Sequence, residues 1–301
     1  MSQSRHLSEQ KRMTKAKVEK ARELGFCFGV RRAIRIIETA AQERQGIVTL
    51  GPIVHNRLVV AKLAEMGVNV ISDLDQIQDG IVAIASHGVS PELLLQIQAQ
   101  RLSVIDTTCP IVRSAQKTAH KLAEAGFGVV IFGEATHPEV KGLLGWAGDK
   151  AVATLDGEGV ANFSLPRRLG ILSQTTQSVP RFTEFTHKVI SGVSPYVREL
   201  RIINTLCQET QKRQEAALEL AGKSELMIVV GGRNSANTQR LAEVCSSLVE
   251  THSIETVAEI EEGWLSGKQH IGVTAGASTP DEAIKEAIVK LESLASGDKS
   301  S

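Results

Sequence analysis

The sequence predicts an α/β fold of three related units arranged with pseudo-threefold symmetry, and three observations predict it. Short apolar runs alternate with amphipathic segments along the whole chain, the pattern of parallel strands joined by helices. Three of the four cysteines, Cys27, Cys109 and Cys207, are each followed 24 residues later by a glycine (Gly51, Gly133 and Gly231), and four residues beyond stand His55, His137 and Ser235. A third polar loop then closes each copy: AIASHGVSP (83–91), GILSQTTQSVP (170–180) and IGVTAGASTPD (271–281). A glycine after a strand is ordinary punctuation. One offset met three times, from three of only four cysteines, is an internal repeat. Three loop sets would then converge on one centre, a three-cysteine site ringed by polar loops.

Taken in order, the apolar runs place strands at 46–50, 81–85, 102–106, 127–132, 169–173, 200–204, 226–231 and 269–274. Helices are expected over 29–42, 56–66, 91–100, 111–125, 138–146, 179–191, 209–223, 236–250 and 280–294. Pro91, Pro110, Pro138 and Pro280 stand at helix starts, where a missing amide hydrogen costs nothing. Each repeat cysteine comes just before a helix, where the N-terminus lowers a thiol's pKa and favours the metal-binding thiolate. The repeat divides the chain into units 28–108, 109–203 and 204–294. Residues 17–27 are expected to lend a strand to the third unit and complete a trefoil, although KVEKARELG has weak strand propensity. Residues 1–16 and 295–301 read as flexible tails.

Composition sets the outer bounds. A chain of 301 residues, 42% hydrophobic and 23% charged, is long enough for a sizeable core. Lysine plus arginine equals aspartate plus glutamate and aromatics make up 3%, so neither a phosphate-backbone binder nor a base-stacking surface is indicated. No apolar run approaches the roughly 20 residues that cross a bilayer, and the first residues lack the apolar core of a secretory signal. The reading is a cytoplasmic protein with no nucleic-acid or membrane partner. There, cysteines serve metals or catalysis more often than disulfides. Cys245, on the apolar stripe of TQRLAEVCSSLVE, reads as a small buried hydrophobe.

The chemistry centres on the other three cysteines. Gly25 and Gly29 flank Cys27 and Pro110 follows Cys109, marking tight loops at strand ends, where α/β folds bind ligands. The spacing is not that of a zinc finger. All-thiolate ligands with one vacant position leave zinc and an iron–sulfur cluster as candidates, and spacing alone does not separate them. His55, His87 and His137 fall in the repeated loops at or near helix starts, with Ser235, Asn237 and Ser278 in the corresponding loops of the third unit. Such loops are rich in hydrogen-bond donors and poor in lysine, which suits a small phosphorylated substrate. For Ser235 and Ser278 plain N-capping explains the residue equally well. Glu139, on the first turn after His137, either stabilises the helix dipole or moves protons, with Thr175 and Thr176 in SQTT placed to orient it.

These motifs resemble the 4-hydroxy-3-methylbut-2-enyl diphosphate reductase family of the non-mevalonate isoprenoid pathway. GFCFGVRRAI (25–34), GPIVHNRLVV (51–60), ASHGVSP (85–91), DTTCPIV (106–112), THPEVKG (136–142), SQTT (173–176), NTLCQETQKRQ (204–214), GGRNSANTQRL (231–241) and GVTAGASTPD (272–281) run in family order. The resemblance implies an oxidoreductase with a trefoil of α/β units around a [4Fe–4S] cluster held by Cys27, Cys109 and Cys207, leaving one iron open. It implies that His55, His87, His137, Thr175, Ser235, Asn237 and Ser278 bind the substrate, its diphosphate above all. Glu139 would then be the proton donor, aided by Thr175. Two electrons and two protons would expel water and yield isopentenyl and dimethylallyl diphosphate. In similar enzymes a ferredoxin or flavodoxin supplies the electrons. The chain departs from the family pattern at Ala236, where many members have serine, at Thr136, where glycine is frequent, and in its polar N-terminal extension. Two other readings of the site are a non-redox [4Fe–4S] hydro-lyase and a non-catalytic metal or cluster sensor.

Overall fold

The structure, a computed structural model, describes residues 16–77, 80–164 and 166–296. The expected tails fall mostly outside these residues. In chain order the first elements are β1 (Lys17–Lys20), α1 (Phe28–Glu43), β2 (Ile47–Leu50), α2 (Arg57–Glu65), β3 (Asn69–Ile71), β4 (Ile81–Ile84), α3 (Pro91–Ala99) and β5 (Ser103–Asp106). There follow α4 (Pro110–Glu124), β6 (Gly128–Phe132), α5 (Pro138–Ala147), β7 (Ala151–Thr154), β8 (Arg168–Ser173), α6 (Val179–Val193) and β9 (Glu199–Ile202). The last are α7 (Gln208–Ala221), β10 (Leu226–Val230), α8 (Ala236–Ser246), β11 (Thr251–Ile254), β12 (His270–Ala275) and α9 (Asp281–Ala295).

The strands form three four-stranded parallel sheets of one pattern: β3-β2-β4-β5, β7-β6-β8-β9 and β11-β10-β12-β1. In the third sheet the fourth place is taken by β1, with Lys17 opposite His270 and Lys20 opposite Val273. The central strands β6 and β10 are buried throughout, as parallel strands covered by helices on both faces must be. Around β10, Ile228 and Val230 meet Ile284 and Leu291 of α9, while Met227 and Val229 meet Ala217 of α7 and Leu241 and Cys245 of α8. Successive residues thus serve opposite faces. Cys245 is fully buried, and burial pushes its thiol up to about 12.

Three strands lie outside the sequence prediction, and they are equivalent: β3, β7 and β11 are each the edge strand beside the first strand of a unit. They are three or four residues long, and only Ile254 among them is buried, so they carry little apolar periodicity. Their partners explain the repeated glycines. The amide of Gly51 donates to Ile71 O (3.0 Å), that of Gly133 to Thr154 O (3.2 Å) and that of Gly231 to Ile254 O (2.8 Å). Gly51 has φ +70° in open space, whereas a Cβ on Gly133 would lie 2.8 Å from Val140 and 2.9 Å from Gln174. α8 stops at Ser246, short of the expected residue 250, because Leu248 and Val249 amides turn back onto Cys245 O and lead the chain into β11.

Candidate active site

Cys27, Cys109 and Cys207 are the N-cap residues of α1, α4 and α7. Each cysteine amide donates to the third polar loop of a different unit: Cys109 to Ser86 O (2.9 Å), Cys207 to Thr175 O (2.9 Å) and Cys27 to Ala277 O (3.1 Å). The cycle of units closes through these three bonds, and the side chains meet in a cavity of about 120 Å³. His55, His87, His137, Glu139, Thr175, Ser235, Asn237 and Ser278 line the same cavity, so the polar side chains singled out from the repeated loops lie together. The cysteines also line a second, outward-opening cavity of about 600 Å³, beside which Phe28 is 63% exposed.

Glu139 is 3% exposed. Its carboxylate accepts from Thr175 N (2.6 Å) and Thr175 Oγ1 (2.9 Å). Burial outweighs these bonds and raises its pKa to about 7. His137 caps α5: its Nδ1 accepts from the Glu139 amide (3.1 Å), so the proton of the neutral ring sits on Nε2. Burial and the other rings hold His87 and His137 at about 4, and burial lowers His55 as well. His55 stacks on His87 (5.6 Å) and lies 5.8 Å from His137. Its Nε2 and both amide atoms of Asn237 are buried without a partner among the described residues. Unpaired donors of this kind are costly unless a ligand completes them. Ser235 caps α8 by accepting from Thr238 N (3.4 Å) and lines the cavity as well, while Ser278 Oγ donates to His55 O (3.3 Å).

The profile of the LytB protein family matches residues 18–292. The chain belongs to the LytB family. Among similar proteins named 4-hydroxy-3-methylbut-2-enyl diphosphate reductase, that of Dehalococcoides mccartyi strain CBDB1 is 48% identical over 282 residues, covering 93% of this chain and 99% of that protein. The one from Pelobacter propionicus is 44% identical over 272 residues, 90% of this chain and 96% of that protein. The solved structure of the E-1-hydroxy-2-methyl-but-2-enyl-4-diphosphate reductase from Plasmodium falciparum superimposes with TM-score 0.85 at 26% identity, covering 91% of this chain and 87% of that one. The solved (E)-4-hydroxy-3-methyl-but-2-enyl diphosphate reductase, the terminal enzyme of the non-mevalonate pathway, gives TM-score 0.66 at 37% identity over 91% of this chain and 98% of that one. The motifs quoted above point to the same LytB reductases.

Within this LytB chain the three cysteines line one cavity, and the structure makes one correction to the sequence reading of their thiols. At Cys27 and Cys109 the first-turn amides do lower the thiol pKa, but burial outweighs them. Burial raises Cys27 and Cys109, and the neighbouring sulfurs add to the rise. Cationic metal reverses that balance, since it neutralises the mutual repulsion of bound thiolates. Gly29 keeps the space clear: a Cβ there would sit 2.6 Å from Cys109 Sγ and 3.9 Å from Cys27 Sγ. Among the described residues no three His, Cys, Asp or Glu side chains converge to hold a single ion. Two polar lining residues went unnamed in the sequence reading, Ser86 and Thr210. Thr210, one turn after Cys207 and 5% exposed, had a signal in its helical spacing.

Proposed function

We propose that this chain reduces 4-hydroxy-3-methylbut-2-enyl diphosphate to isopentenyl and dimethylallyl diphosphate at a [4Fe–4S] cluster held by Cys27, Cys109 and Cys207. The observation that carries this reading is the Glu139–Thr175 pair, buried in the same small cavity as the three cysteines and three neutral histidines. When bound, such a cluster would relay electrons one at a time from a carrier and would offer a Lewis-acidic iron to weaken an allylic C–O bond. The protein's own groups do the rest. No lysine or arginine lines the cavity, so the diphosphate is held by directed hydrogen bonds from His55, His87, His137, Ser235, Asn237 and Ser278 and by the starts of α5 and α8. With a pKa near 7, Glu139 exchanges a proton readily at neutral pH, and the Thr175 hydroxyl that donates to its carboxylate orients it toward the departing hydroxyl. The C–O bond breaks, two electrons and two protons enter, and water leaves.

Electrons come from a protein carrier such as a ferredoxin or flavodoxin, and the outward cavity beside Phe28 gives such a carrier an approach to the cysteines. Among the described residues no helix is long and apolar enough to cross a membrane. A hydro-lyase acting on hydroxy acids typically needs lysine or arginine for the carboxylates, and neither lines this cavity. A sensor has no use for a carboxyl poised near pH 7. The test is anaerobic: reduced viologen dye is mixed with the iron-loaded protein and 4-hydroxy-3-methylbut-2-enyl diphosphate is added. Substrate-dependent oxidation that disappears in Cys109→Ser establishes the reaction at this site. Absence of oxidation in a preparation with full iron and sulfide content overturns it.

A further inference from the structure

The loop carrying His87 belongs to the first unit, but what holds it belongs to the second. The Val89 carbonyl, two residues beyond His87, accepts from Trp146 Nε1 (2.9 Å) and from Gln116 Nε2 (3.3 Å). Trp146 lies at the end of α5, the helix that begins at His137 and Glu139, and Gln116 lies on α4, the helix that begins at Cys109. The fit is close on both sides. Gly88 has φ +71°, and a Cβ on it would come within 2.4 Å of Gln116 Nε2. A Cβ on Gly145 would come within 2.4 Å of Ser90 Cβ. Gln116 is 2% exposed, and His120 of α4 packs edge-on against Trp146 at 5.7 Å. Neither Gln116 nor Trp146 lines the cavity.

We infer that Gln116 and Trp146 are positioning residues that lock the His87 loop to the helix bearing His137 and Glu139, so that groups from two units meet the substrate diphosphate as one rigid set. Two donors on one carbonyl fix the loop's height above α5. Through the Gly88 carbonyl, which His87 Nδ1 contacts at 3.1 Å, the same contact sets the direction of the imidazole. A diphosphate held by directed hydrogen bonds, without lysine or arginine, depends on such alignment, because a hydrogen bond weakens steeply as its angle departs from linear.

The inference rests on His87 as a diphosphate contact, and the experiment separates the two claims. Trp146→Phe keeps the ring and removes the N–H; Gln116→Leu keeps the bulk and removes the amide. Each is expected to raise the KM for substrate about fivefold, the equivalent of one net hydrogen bond, with kcat within about twofold and iron and sulfide content unchanged. Calorimetric binding of inorganic diphosphate to the iron-loaded protein should weaken by the same factor. Combined with His87→Ala, Trp146→Phe should add nothing further, since its effect runs through that ring. Trp146 is partly exposed, so Trp146→Phe keeps the test available even where Gln116→Leu folds poorly. An unchanged KM in Trp146→Phe, or an effect that adds fully to that of His87→Ala, overturns the positioning role. No KM change in His87→Ala itself overturns the diphosphate reading beneath it, and the inference with it.

Discussion

Glu139→Gln is the sharpest probe of the site, because it deletes one titration while leaving the shape alone. The amide oxygen still accepts from Thr175 N, and the Thr175 hydroxyl turns round to accept from the new NH2. Burial lifts Glu139 from 4.5 to about 7. The sign follows from the acid being raised: folding favours the protonated form, so its contribution is complete below about pH 4.5 and is lost as pH climbs through 7. By pH 8 the ionised carboxyl costs the fold on the order of 3 kcal/mol, and the glutamine variant escapes that cost. In the iron-free protein, thermal unfolding should show no large gap between variant and wild type at pH 5. At pH 8 the variant should melt about 5 °C higher. In the iron-loaded protein, turnover should fall at least about 100-fold, the usual contribution of a positioned acid, while iron content stays full. A melting gap that is the same at both pH values would show that Glu139 is not a raised acid. Turnover within about threefold of wild type would refute its role as proton donor.

Other expectations follow from the same geometry. Wild-type turnover should decline above about pH 7 as Glu139 loses its proton, which a pH profile of kcat will read. His87 and His137 are neutral above about pH 4 in the free site, so a bound diphosphate raises their pKa values and draws protons in. Calorimetry of inorganic diphosphate in buffers of different ionisation enthalpy should therefore report net proton uptake, and tighter binding at pH 6 than at pH 8. Gly29→Ala drives a methyl group into Cys109 Sγ; iron and sulfide content should drop sharply while far-ultraviolet circular dichroism keeps the wild-type shape. Leu143→Ala, on the buried face of the helix that carries Glu139, should cost roughly 2–5 kcal/mol in denaturant titration.

The sequence by itself determined the strand–helix alternation, the repeat and the membership of the site. Apolar runs such as LMIVV need no tertiary context to read as buried strands, and the offset from each cysteine to its glycine and polar loop is arithmetic on the chain. The short edges β3, β7 and β11 were not legible, because a strand of three or four half-exposed residues is specified by its neighbour's hydrogen bonds more than by its own side chains. Only tertiary structure decided the electrostatics. A helix start argues for a low thiol pKa and a first-turn glutamate for an ordinary one, yet burial raised Glu139, and burial with neighbouring sulfurs raised Cys27 and Cys109. The clasp of Val89 by Trp146 and Gln116 was equally out of reach. The donors and the acceptor are separated by 57 and 27 residues and meet only where two units pack. Desolvation and cross-unit contact are properties of the folded neighbourhood, whereas period and spacing belong to the chain.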